Sequence, residues 1–413
     1  MDYIVNGGNK LSGSLHVYGA KNCVLACLAA TLLTDEQVVL TNCPDIVDVT
    51  NMAGCLTALG KRVCRYGDVI VVDGTPSTSA VPREKAVLLR GSALLLGPLV
   101  ARSGNCVLPL PGGCAIGARP MDIHVDGLRA LGADVENFAD KIECRSGVSG
   151  GKYALRFASV GATENLICAA VCAKGRTELD NCAREPEIAA MCRMLNAMGA
   201  RIDGIGRSRV CIEGVNKLHG TTFAVIPDRI VAATYIACGL SAGGELSVVG
   251  CPSRYLSAFV DAFGGGGAIR AYKDMQHVSA SGRVRLPQRI VTAPYPGFHT
   301  DMQSLALSLA ATGRGKCTIC ENLFENRLAH NAEQLNKMGG NVQVDGRCAC
   351  VTGGKLHGAN VTSHDLRGGA ALICAALAAE GTTVVSDQGY ILRGYCNLAE
   401  ELASVGGSVV EQN

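Results

Sequence analysis

The chain has 413 residues, in which 38 Lys and Arg residues nearly balance 36 Asp and Glu residues. This balance gives no electrostatic reason to expect a nucleic acid or an anionic membrane as partner, so any anion site has to be local. Hydrophobic residues make up 48% of the chain, aromatic residues only 4%, and tryptophan is absent. We therefore expect a core of small side chains, divided over two domains of about 200 residues or over repeats.

The N-terminal segment MDYIVNGGNKLSGSLHV alternates apolar and polar residues, which predicts a β-strand. It has neither a basic start nor an apolar stretch of the signal-peptide type. The apolar run 86–101 is interrupted by Arg90 and two glycines, and it falls short of the ~20 residues of a membrane span. These features predict a soluble, cytoplasmic protein.

Two patterns each recur six times along the chain. In the first, an amphipathic segment ends in glycine and a strand follows at once, as in LTALGKRV and LASVGGSV. A left-handed glycine commonly ends a helix in this way. The six glycines, 65 to 75 residues apart, are Gly60, Gly132, Gly199, Gly264, Gly339 and Gly406.

The second pattern is a helix rich in small residues, then a turn and a short strand, as in YIACGLSAGGELSVVGC. The segment 368–381, GGAALICAALAAEG, is apolar on nearly every face, so its helix has to be buried all round. Helices at the centre with sheets outside invert the usual barrel. The predicted fold class is α/β, a two-domain inside-out α/β barrel with six βαβαββ-type units, three per domain, facing each other across a ligand cleft.

Twenty-one cysteines are spread through the chain. Without a signal peptide, this number favours reduced thiols that fill the core of a cytosolic protein. The motif CTIC, 317–320, has redox or zinc-ligand spacing, but no second pair completes a tetrahedral set. We interpret it as part of a structural strand and expect no metal site.

The segment PLPGGCAIGARP, 109–120, presents Cys114 behind two glycines, five residues before Arg119. Glycine pairs permit sharp turns, and a neighbouring cation lowers the pKa of a thiol. Cys114 is therefore either a reactive group near a cationic pocket or one more small apolar residue. The loop alone does not decide between the two.

Several cations stand at element boundaries, next to glycine or where a strand passes into a helix. If they converge on one cleft, they form a site for phosphate and carboxylate groups. For each cation alone, an ordinary surface or salt-bridged position is the favoured interpretation. They are Lys21, which precedes Asn22, and Arg90, Arg119, Arg367 and Arg393.

Two aspartates, Asp301 and Asp365, each precede an apolar helix. N-terminal capping is the slightly favoured interpretation, because Asp caps helices frequently. Asp301 also follows the loop YPGFHT, which could carry it into a cleft as a general base. His124 and His299 are predicted to be structural or to flank the substrate.

Motifs of two other enzyme classes are missing from the sequence. There is no G-x-S-x-G nucleophile elbow of a serine hydrolase and no G-x-x-x-x-G-K-[ST] phosphate loop. The glycine run in FGGGGAI ends a predicted helix and does not open one. Hydrolysis by either machinery is therefore not expected.

The chain resembles the UDP-N-acetylglucosamine 1-carboxyvinyltransferases of the enolpyruvyl transferase family over essentially its entire length. The cysteine loop is the most specific motif, because the related enolpyruvylshikimate phosphate synthases share the inside-out fold and lack this loop. The motifs are, in chain order, GAKNCVLACLAA, LRGSALLLGPLVARSG, LPGGCAIGARPMDIHVDGLRALGA, SVGATEN, NCAREPEI, PDRI, GFHTDMQS, FENRLAH, DLRGGAAL and ILRGY.

The resemblance implies transfer of the enolpyruvyl group of phosphoenolpyruvate to the 3′-hydroxyl of UDP-N-acetylglucosamine, with release of phosphate, in peptidoglycan precursor synthesis. It implies no cofactor or metal, no nucleic-acid or membrane partner, and a monomer or weak homo-oligomer. The implied domains are 21–227, with the cysteine loop, and a discontinuous second domain of 1–20 and 228–413. A transferase for another acceptor, such as shikimate 3-phosphate, and a catalytically silent paralogue remain alternatives.

The resemblance also implies roles for individual residues. Asp301 matches the general base, and Cys114 matches the residue that protonates C3 of phosphoenolpyruvate and that fosfomycin alkylates, on a loop expected to close as a lid. The phosphate and carboxylate are held by Lys21, Arg119 and Arg393, assisted by Arg90, Arg327 and Arg367. Other substrate-binding positions are Asn22, Pro120, Met121, Asp122, Ile123, Ser159, Val160, Gly161, Leu323 and Asp365, the last a second essential acid.

Two positions depart from the family pattern. Val231 follows PDRI where the family commonly has Glu, and Phe157 stands where some members carry a substrate-contacting lysine. Both lie away from the predicted acid, base and cations. They bear on substrate contacts more than on the reaction.

Overall fold

The computed structural model describes residues 1–112, 119–324 and 326–412. These residues divide into two compact units. Unit 1 comprises residues 1–18 and 227–412, and unit 2 comprises residues 19–112 and 119–226. Each unit is described by itself.

Both units are built from α-helices and short β-strands. In chain order the helices are α1 (Lys21–Ala30), α2 (Val47–Ala58), α3 (Arg83–Ala86), α4 (Leu96–Ser103), α5 (Asp122–Ala130), α6 (Val160–Ala170), α7 (Pro186–Ala197), α8 (Arg229–Ala242), α9 (Ser257–Phe263), α10 (Gln303–Thr312), α11 (Arg327–Lys337), α12 (Leu366–Ala378) and α13 (Leu398–Ser404). The strands are β1 (Asp2–Asn6), β2 (Leu11–His16), β3 (Val38–Thr41), β4 (Arg62–Tyr66), β5 (Val69–Asp73), β6 (Cys106–Pro109), β7 (Val135–Asn137), β8 (Lys141–Cys144), β9 (Gly151–Ala154), β10 (Arg176–Asp180), β11 (Arg201–Asp203), β12 (Val210–Glu213), β13 (Thr221–Ala224), β14 (Gly244–Val249), β15 (Ile269–Ala271), β16 (Met275–Ala280), β17 (Arg289–Val291), β18 (Lys316–Cys320), β19 (Asn341–Asp345), β20 (Cys348–Thr352), β21 (Asn360–Thr362), β22 (Thr382–Ser386) and β23 (Ser408–Gln412).

The strands form six separate sheets that repeat one plan, as the sequence predicted. In five of the sheets a parallel pair of strands continues into antiparallel strands, and in three of these a buried helix connects the two parallel strands. Unit 1 contains the orders β21-β22-β1-β23, β15-β16-β14-β2 and β17-β18-β20-β19, and unit 2 contains β11-β12-β10-β9, β13-β3-β5-β4 and β6-β8-β7. In the last sheet an isolated parallel bridge from Ala80 to Val107 stands in for the fourth strand.

Helices fill the centre of the units, and the sheets lie outside them. In unit 1, α8, α10 and α12 contact one another, and every residue of 366–377 in α12 is buried. In unit 2, α4 packs against α6 so closely that a Cβ on Gly97 would lie 2.1 Å from the backbone oxygen of Asn165. The small side chains of the repeats therefore serve close helix packing, and the prediction of buried central helices is confirmed.

Five of the six repeat glycines adopt the left-handed conformation, for example Gly60 with φ 101° and Gly339 with φ 84°. The prediction is wrong for Gly264, whose φ is −78°. The glycine run continues there into a 3₁₀ turn, Gly265–Gly267, and the positive φ moves to Gly267. A run of glycines lets the chain reverse at any of its members, so the pattern alone does not fix which one.

The expectation of reduced thiols is wrong at one pair. Cys320 and Cys348 form a disulfide between β18 and β20, where they stand directly opposite each other. They are 28 residues apart in the chain, and only the strand register brings them together. The other cysteines of the described ranges keep their thiols and are mostly buried, which confirms their use as core residues, and CTIC lies in β18 as predicted.

Among the helices of the described residues, none combines the length and the apolar character needed to cross a membrane.

Candidate active site

Several predicted site residues lie at positions in the chain where a strand has ended and a helix begins. Lys21 is the first residue of α1, Ser159 precedes α6, and Arg327 is the first residue of α11. Asp301 lies in a 3₁₀ turn, Thr300–Met302, just before α10. In α/β folds ligands bind at the carboxyl ends of parallel strands, where helix N-termini also favour anions. The position of these side chains therefore fits a site for phosphorylated substrates.

In unit 2, Lys21 pairs with a carboxylate that the sequence did not single out. Its Nζ lies 3.2 Å from Oδ2 of Asp48, which is buried in the first turn of α2. The Lys21 side chain is itself only 14% exposed. Lys21 is thus held in place at the start of α1, next to the partly exposed Asn22.

Two of the predicted cations of unit 2 lie together. The Arg90 guanidinium donates a hydrogen bond to the backbone carbonyl of Arg119, and it lies 3.6 Å from Sδ of Met121. Burial, with the charge of Arg119 as the second cause, lowers the pKa of Arg90 to about 10. Because the positive charges of Arg90 and Arg119 repel each other, an anion bound beside them would be stabilised.

His124 lies next to this pair and is buried. Burial, with the charge of Arg90 as the second cause, lowers the pKa of His124 to about 4, so the ring is neutral at pH 7. The Asn165 amide lies 2.9 Å from its Nδ1. A Cβ on Gly161 would lie 3.3 Å from Cε1 of His124, so the start of α6 reaches this ring. These contacts confirm the structural role predicted for His124.

The other predicted positions of unit 2 surround these groups or stand on the surface. Ser159 accepts a hydrogen bond from the N–H of Ala162 at 3.4 Å and so caps α6, of which Val160 and Gly161 are the first residues. Asp122 pairs with Arg156 on the surface. Met121 is buried, Ile123 is partly buried, and Pro120 is exposed.

In unit 1, Asp301 is held by two buried arginines. Its Oδ1 accepts a hydrogen bond from Nη1 of Arg327 at 3.1 Å, and its Oδ2 accepts one from Nη2 of Arg367 at 3.3 Å. Both arginine side chains are 3% exposed, whereas that of Asp301 is 19% exposed. The carboxylate therefore stands at the accessible edge of an otherwise buried charge cluster.

The capping interpretation is wrong for Asp301. His299 occupies the N-cap position, and its Nδ1 accepts the hydrogen bond from the Asp301 N–H at 3.1 Å. Burial, with Arg229 as the second cause, lowers the pKa of His299 to about 3. The ring is therefore neutral and acts as an acceptor, and the Asp301 carboxylate is turned to the arginines.

Charge compensation maintains the cluster. Burial alone lowers the pKa of Arg367, but Asp301 is the largest opposing cause and the net effect raises it. Arg229, 2% exposed, lies with its Cζ 5.4 Å from the centre of the Tyr295 ring. Arg229 is a cation that the sequence analysis did not assign, although it lies in the motif PDRI.

The remaining predictions of unit 1 fall beside this cluster. Asp365 caps α12 by accepting hydrogen bonds from the N–H groups of Arg367 at 2.9 Å and Gly368 at 3.2 Å, which confirms the capping interpretation there. The Leu323 N–H donates to Oε1 of Glu321 at 2.8 Å. Arg393 ends a 3₁₀ turn, Ile391–Arg393.

Cys114 lies outside the described residues, so its role stays a prediction. Phe157 is 41% exposed, whereas Val231 is fully buried in α8. Within the described ranges, no group of three or more His, Cys, Asp or Glu side chains is placed to hold a metal ion.

Three buried charged residues near the predicted site residues were not predicted from the sequence: Asp48, Arg229 and Glu321. Each is a charged residue at or near the start of a helix or the end of a strand. A charge at an element boundary was also the signal that selected Lys21 and Asp365. Many surface residues share this signal, so it does not single out a site. Only burial separates these three from the others.

The model of the family described as EPSP synthase (3-phosphoshikimate 1-carboxyvinyltransferase) matches residues 5–402. The chain belongs to this family. Members similar to it include the UDP-N-acetylglucosamine 1-carboxyvinyltransferase of Novosphingobium aromaticivorans, 43% identical over 98% of both chains. The UDP-N-acetylglucosamine 1-carboxyvinyltransferase 2 of Caldanaerobacter subterraneus subsp. tengcongensis is 41% identical over 98% of both chains.

Solved structures of the family share the fold. The enolpyruvyl transferase NikO from Streptomyces tendae has a TM-score of 0.87 at 24% identity, over 99% of this chain and 98% of that one. EPSP synthase from Acinetobacter baumannii has a TM-score of 0.73 at 16% identity, over all of both chains. The predicted enolpyruvyl transferase fold is thus confirmed.

Proposed function

We propose that this protein transfers the enolpyruvyl group of phosphoenolpyruvate to the 3′-hydroxyl of UDP-N-acetylglucosamine and releases inorganic phosphate. The observation that carries the proposal is the similarity, at 41 to 43% identity over nearly the whole chain, to relatives named for this activity. The product serves peptidoglycan synthesis, and we assign the reaction to the cytoplasm.

Asp301 is the proposed general base. Addition of the sugar hydroxyl to C2 of phosphoenolpyruvate requires removal of the hydroxyl proton, because an alcohol is a weak nucleophile at neutral pH. The Asp301 carboxylate is the accessible member of its cluster and is fixed by Arg327 and Arg367 at both oxygens. A fixed acceptor of this kind can take the proton without first reorganising.

The cations of unit 2 are the proposed clamp for the phosphate and the carboxylate of phosphoenolpyruvate. Arg90 and Arg119 are adjacent, and Lys21 is ordered by Asp48. Fixed positive charges stabilise the negative charge that leaves with phosphate, and arginine offers two parallel hydrogen bonds to each anion. Arg393 of unit 1 is assigned to the same substrate through the resemblance.

Cys114 is the proposed acid that protonates C3 of the enolpyruvyl group. The addition therefore places the hydroxyl oxygen on C2 and the thiol proton on C3. In the elimination, a proton passes from C3 back to the Cys114 thiolate, phosphate leaves C2 with the electron pair of the C–O bond, and the double bond is restored. A catalytically silent paralogue is disfavoured, because Lys21, Cys114, Arg119, Asp301 and Arg393 are all retained.

The decisive experiment measures phosphate release from phosphoenolpyruvate with purified protein. Release is expected only when UDP-N-acetylglucosamine is added. Shikimate 3-phosphate serves as the comparison acceptor, since the family model carries that activity in its description. Release with the shikimate compound alone would assign the protein to the other branch, and release with neither would refute the transferase.

The assignment of the acid is tested with Cys114→Asp. A carboxylic acid can still donate a proton, so we expect the variant to keep activity and to lose covalent alkylation by fosfomycin. Cys64→Ser, which removes a partly buried thiol elsewhere, is the matched control and should remain alkylated. Alkylation that persists in Cys114→Asp shows that another thiol reacts.

A further inference from the structure

Glu321 is a buried carboxylate at the centre of four hydrogen bonds, directly after β18. Its Oε1 accepts from the hydroxyl of Thr292 at 3.1 Å and from the N–H groups of Leu323 at 2.8 Å and Phe324 at 3.2 Å. Its Oε2 accepts from the hydroxyl of Thr300 at 2.8 Å. All four partners donate their hydrogen bonds to the two carboxylate oxygens, so the turn after β18 and two threonines are tied to one side chain.

The bond from Thr300 determines the next contact. A hydroxyl has one hydrogen, and since Thr300 donates it to Glu321, its oxygen is left to accept. Nη1 of Arg327 donates to that oxygen at 2.9 Å, and the same nitrogen donates to Oδ1 of Asp301 at 3.1 Å. A continuous path of hydrogen bonds thus runs from Glu321 to Asp301.

A second path runs through the turn after β18. Glu321 fixes the backbone of Leu323 and Phe324, and the Phe324 ring centre lies 5.0 Å from Cζ of Arg327. A guanidinium at that distance from an aromatic face is attracted to it. Arg327 is therefore oriented on two sides by elements that Glu321 holds.

We propose that Glu321 is a positioning residue for the reaction. Through Thr300 it fixes the Arg327 guanidinium against Asp301, and through its bond to the Leu323 N–H it fixes a position assigned to the sugar nucleotide. This role rests on the proposed function for its chemistry, because it presupposes that Asp301 acts on the acceptor hydroxyl. Glu321 itself is fully buried, so we assign it to positioning and not to catalysis.

The test uses the threonines, because replacing Glu321 leaves several buried donors without an acceptor and endangers folding. Thr300→Val removes the hydroxyl that links Glu321 to Arg327, and Thr300→Ser restores it. Thr292→Val is the matched control, since the Thr292 hydroxyl donates to the same carboxylate but accepts from the Asn322 N–H, whereas the Thr300 hydroxyl accepts from Arg327. Both valine variants remove one hydrogen bond from Glu321.

We expect Thr300→Val to lower kcat about 10- to 100-fold, because small displacements of groups that position a catalytic residue have effects of this size. The KM for phosphoenolpyruvate should change little, and Thr300→Ser should restore kcat. Thr292→Val should be destabilised in urea unfolding like Thr300→Val but keep a kcat near that of the parent protein. Crystal structures should show a longer distance from Arg327 to Asp301 only in Thr300→Val.

Equal loss of kcat in the two valine variants would assign Thr300 a purely structural role and overturn the inference. An unchanged kcat in Thr300→Val, with an unchanged distance from Arg327 to Asp301, would do the same. If the parent protein releases no phosphate with either acceptor, the proposed function fails, and the crystal structures still decide whether Glu321 positions Arg327.

Discussion

Each of the three central helices of unit 1 is preceded by an aspartate in a corresponding place of the repeat: Asp228, Asp301 and Asp365. The side chains of these aspartates make different contacts. Asp228 accepts hydrogen bonds from the N–H groups of Ile230 and Val231, and Asp365 likewise caps its helix. At Asp301 the cap acceptor is His299, and the carboxylate contacts Arg327 and Arg367 instead.

The difference shows how a repeated fold acquires a site. The N–H groups at a helix start need acceptors, and for the Asp301 N–H the neutral imidazole of His299, two residues earlier, supplies one in place of a carboxylate. Because His299 caps the 3₁₀ turn that leads into α10, the Asp301 carboxylate is left to contact the arginines. Asp301, the proposed base, is an aspartate like Asp228 and Asp365. What distinguishes it is the neighbouring His299, which accepts the hydrogen bond from the backbone N–H.

The largest effect is expected for Asp301→Asn. If Asp301 is the only one of the three that acts as the base, the asparagine amide in the variant cannot accept the proton. The kcat should then fall by roughly 10²- to 10⁴-fold. The measurement is phosphate release with both substrates present at saturation.

Asp228→Asn is the control, because it makes the same chemical change at the corresponding place of another repeat and Asn caps helices as well as Asp. We expect its kcat to stay near that of the parent protein. Equal losses in both variants would mean that the charge of the cluster, and not the position of Asp301, decides the rate.

The second prediction concerns pH and the cap that His299 provides. Burial lowers the pKa of His299 from 6.5 to about 3, so the unfolded chain binds this proton more readily than the folded one. The stability contributed by the neutral ring is therefore complete above pH 6.5 and is lost as the pH falls. We expect about 1.4 kcal/mol for each pH unit below 6.5, or roughly 2 kcal/mol at pH 5.

Urea unfolding at pH 7 and pH 5 measures this loss. The variant His299→Asn keeps an acceptor at the N-cap but does not titrate, so the free energy of unfolding should depend less on pH in this variant. His124 has the same kind of shift in unit 2, and His124→Asn gives the independent comparison. An identical pH dependence in the parent protein and His299→Asn would show that His299 does not titrate as described.

The smallest effect is expected at the cap of α12. Asp365→Ala removes the acceptor for two N–H groups and should lower the free energy of unfolding by about 1 kcal/mol. Asp365→Ser keeps a capping oxygen and should recover most of that loss. A stability of Asp365→Ala equal to that of the parent protein would mean that the cap contributes nothing, and the distinction from Asp301 would then rest on the ion pairs alone.

The sequence by itself determined the repeated architecture and the placement of the cations. Apolar periodicity, small residues and glycine at the helix ends are local signals, and they correctly predicted six α/β units with buried central helices. The cations were correctly placed at element boundaries, as Lys21 and Arg367 demonstrate. The resemblance to a family, carried by motifs along the whole chain, was confirmed by the match over residues 5–402.

Only the tertiary structure decided which of these groups meet. Asp301 contacts Arg327 and Arg367, which are 26 and 66 residues away in the chain. Cys320 pairs with Cys348 because of the strand register. Asp228, Asp301 and Asp365 each precede an apolar central helix, and the sequence does not tell which of them contacts arginines. Glu321 differs from a surface glutamate only by burial. Ion pairs and hydrogen bonds depend on distances of a few ångströms between remote segments, and a local pattern contains no such distances.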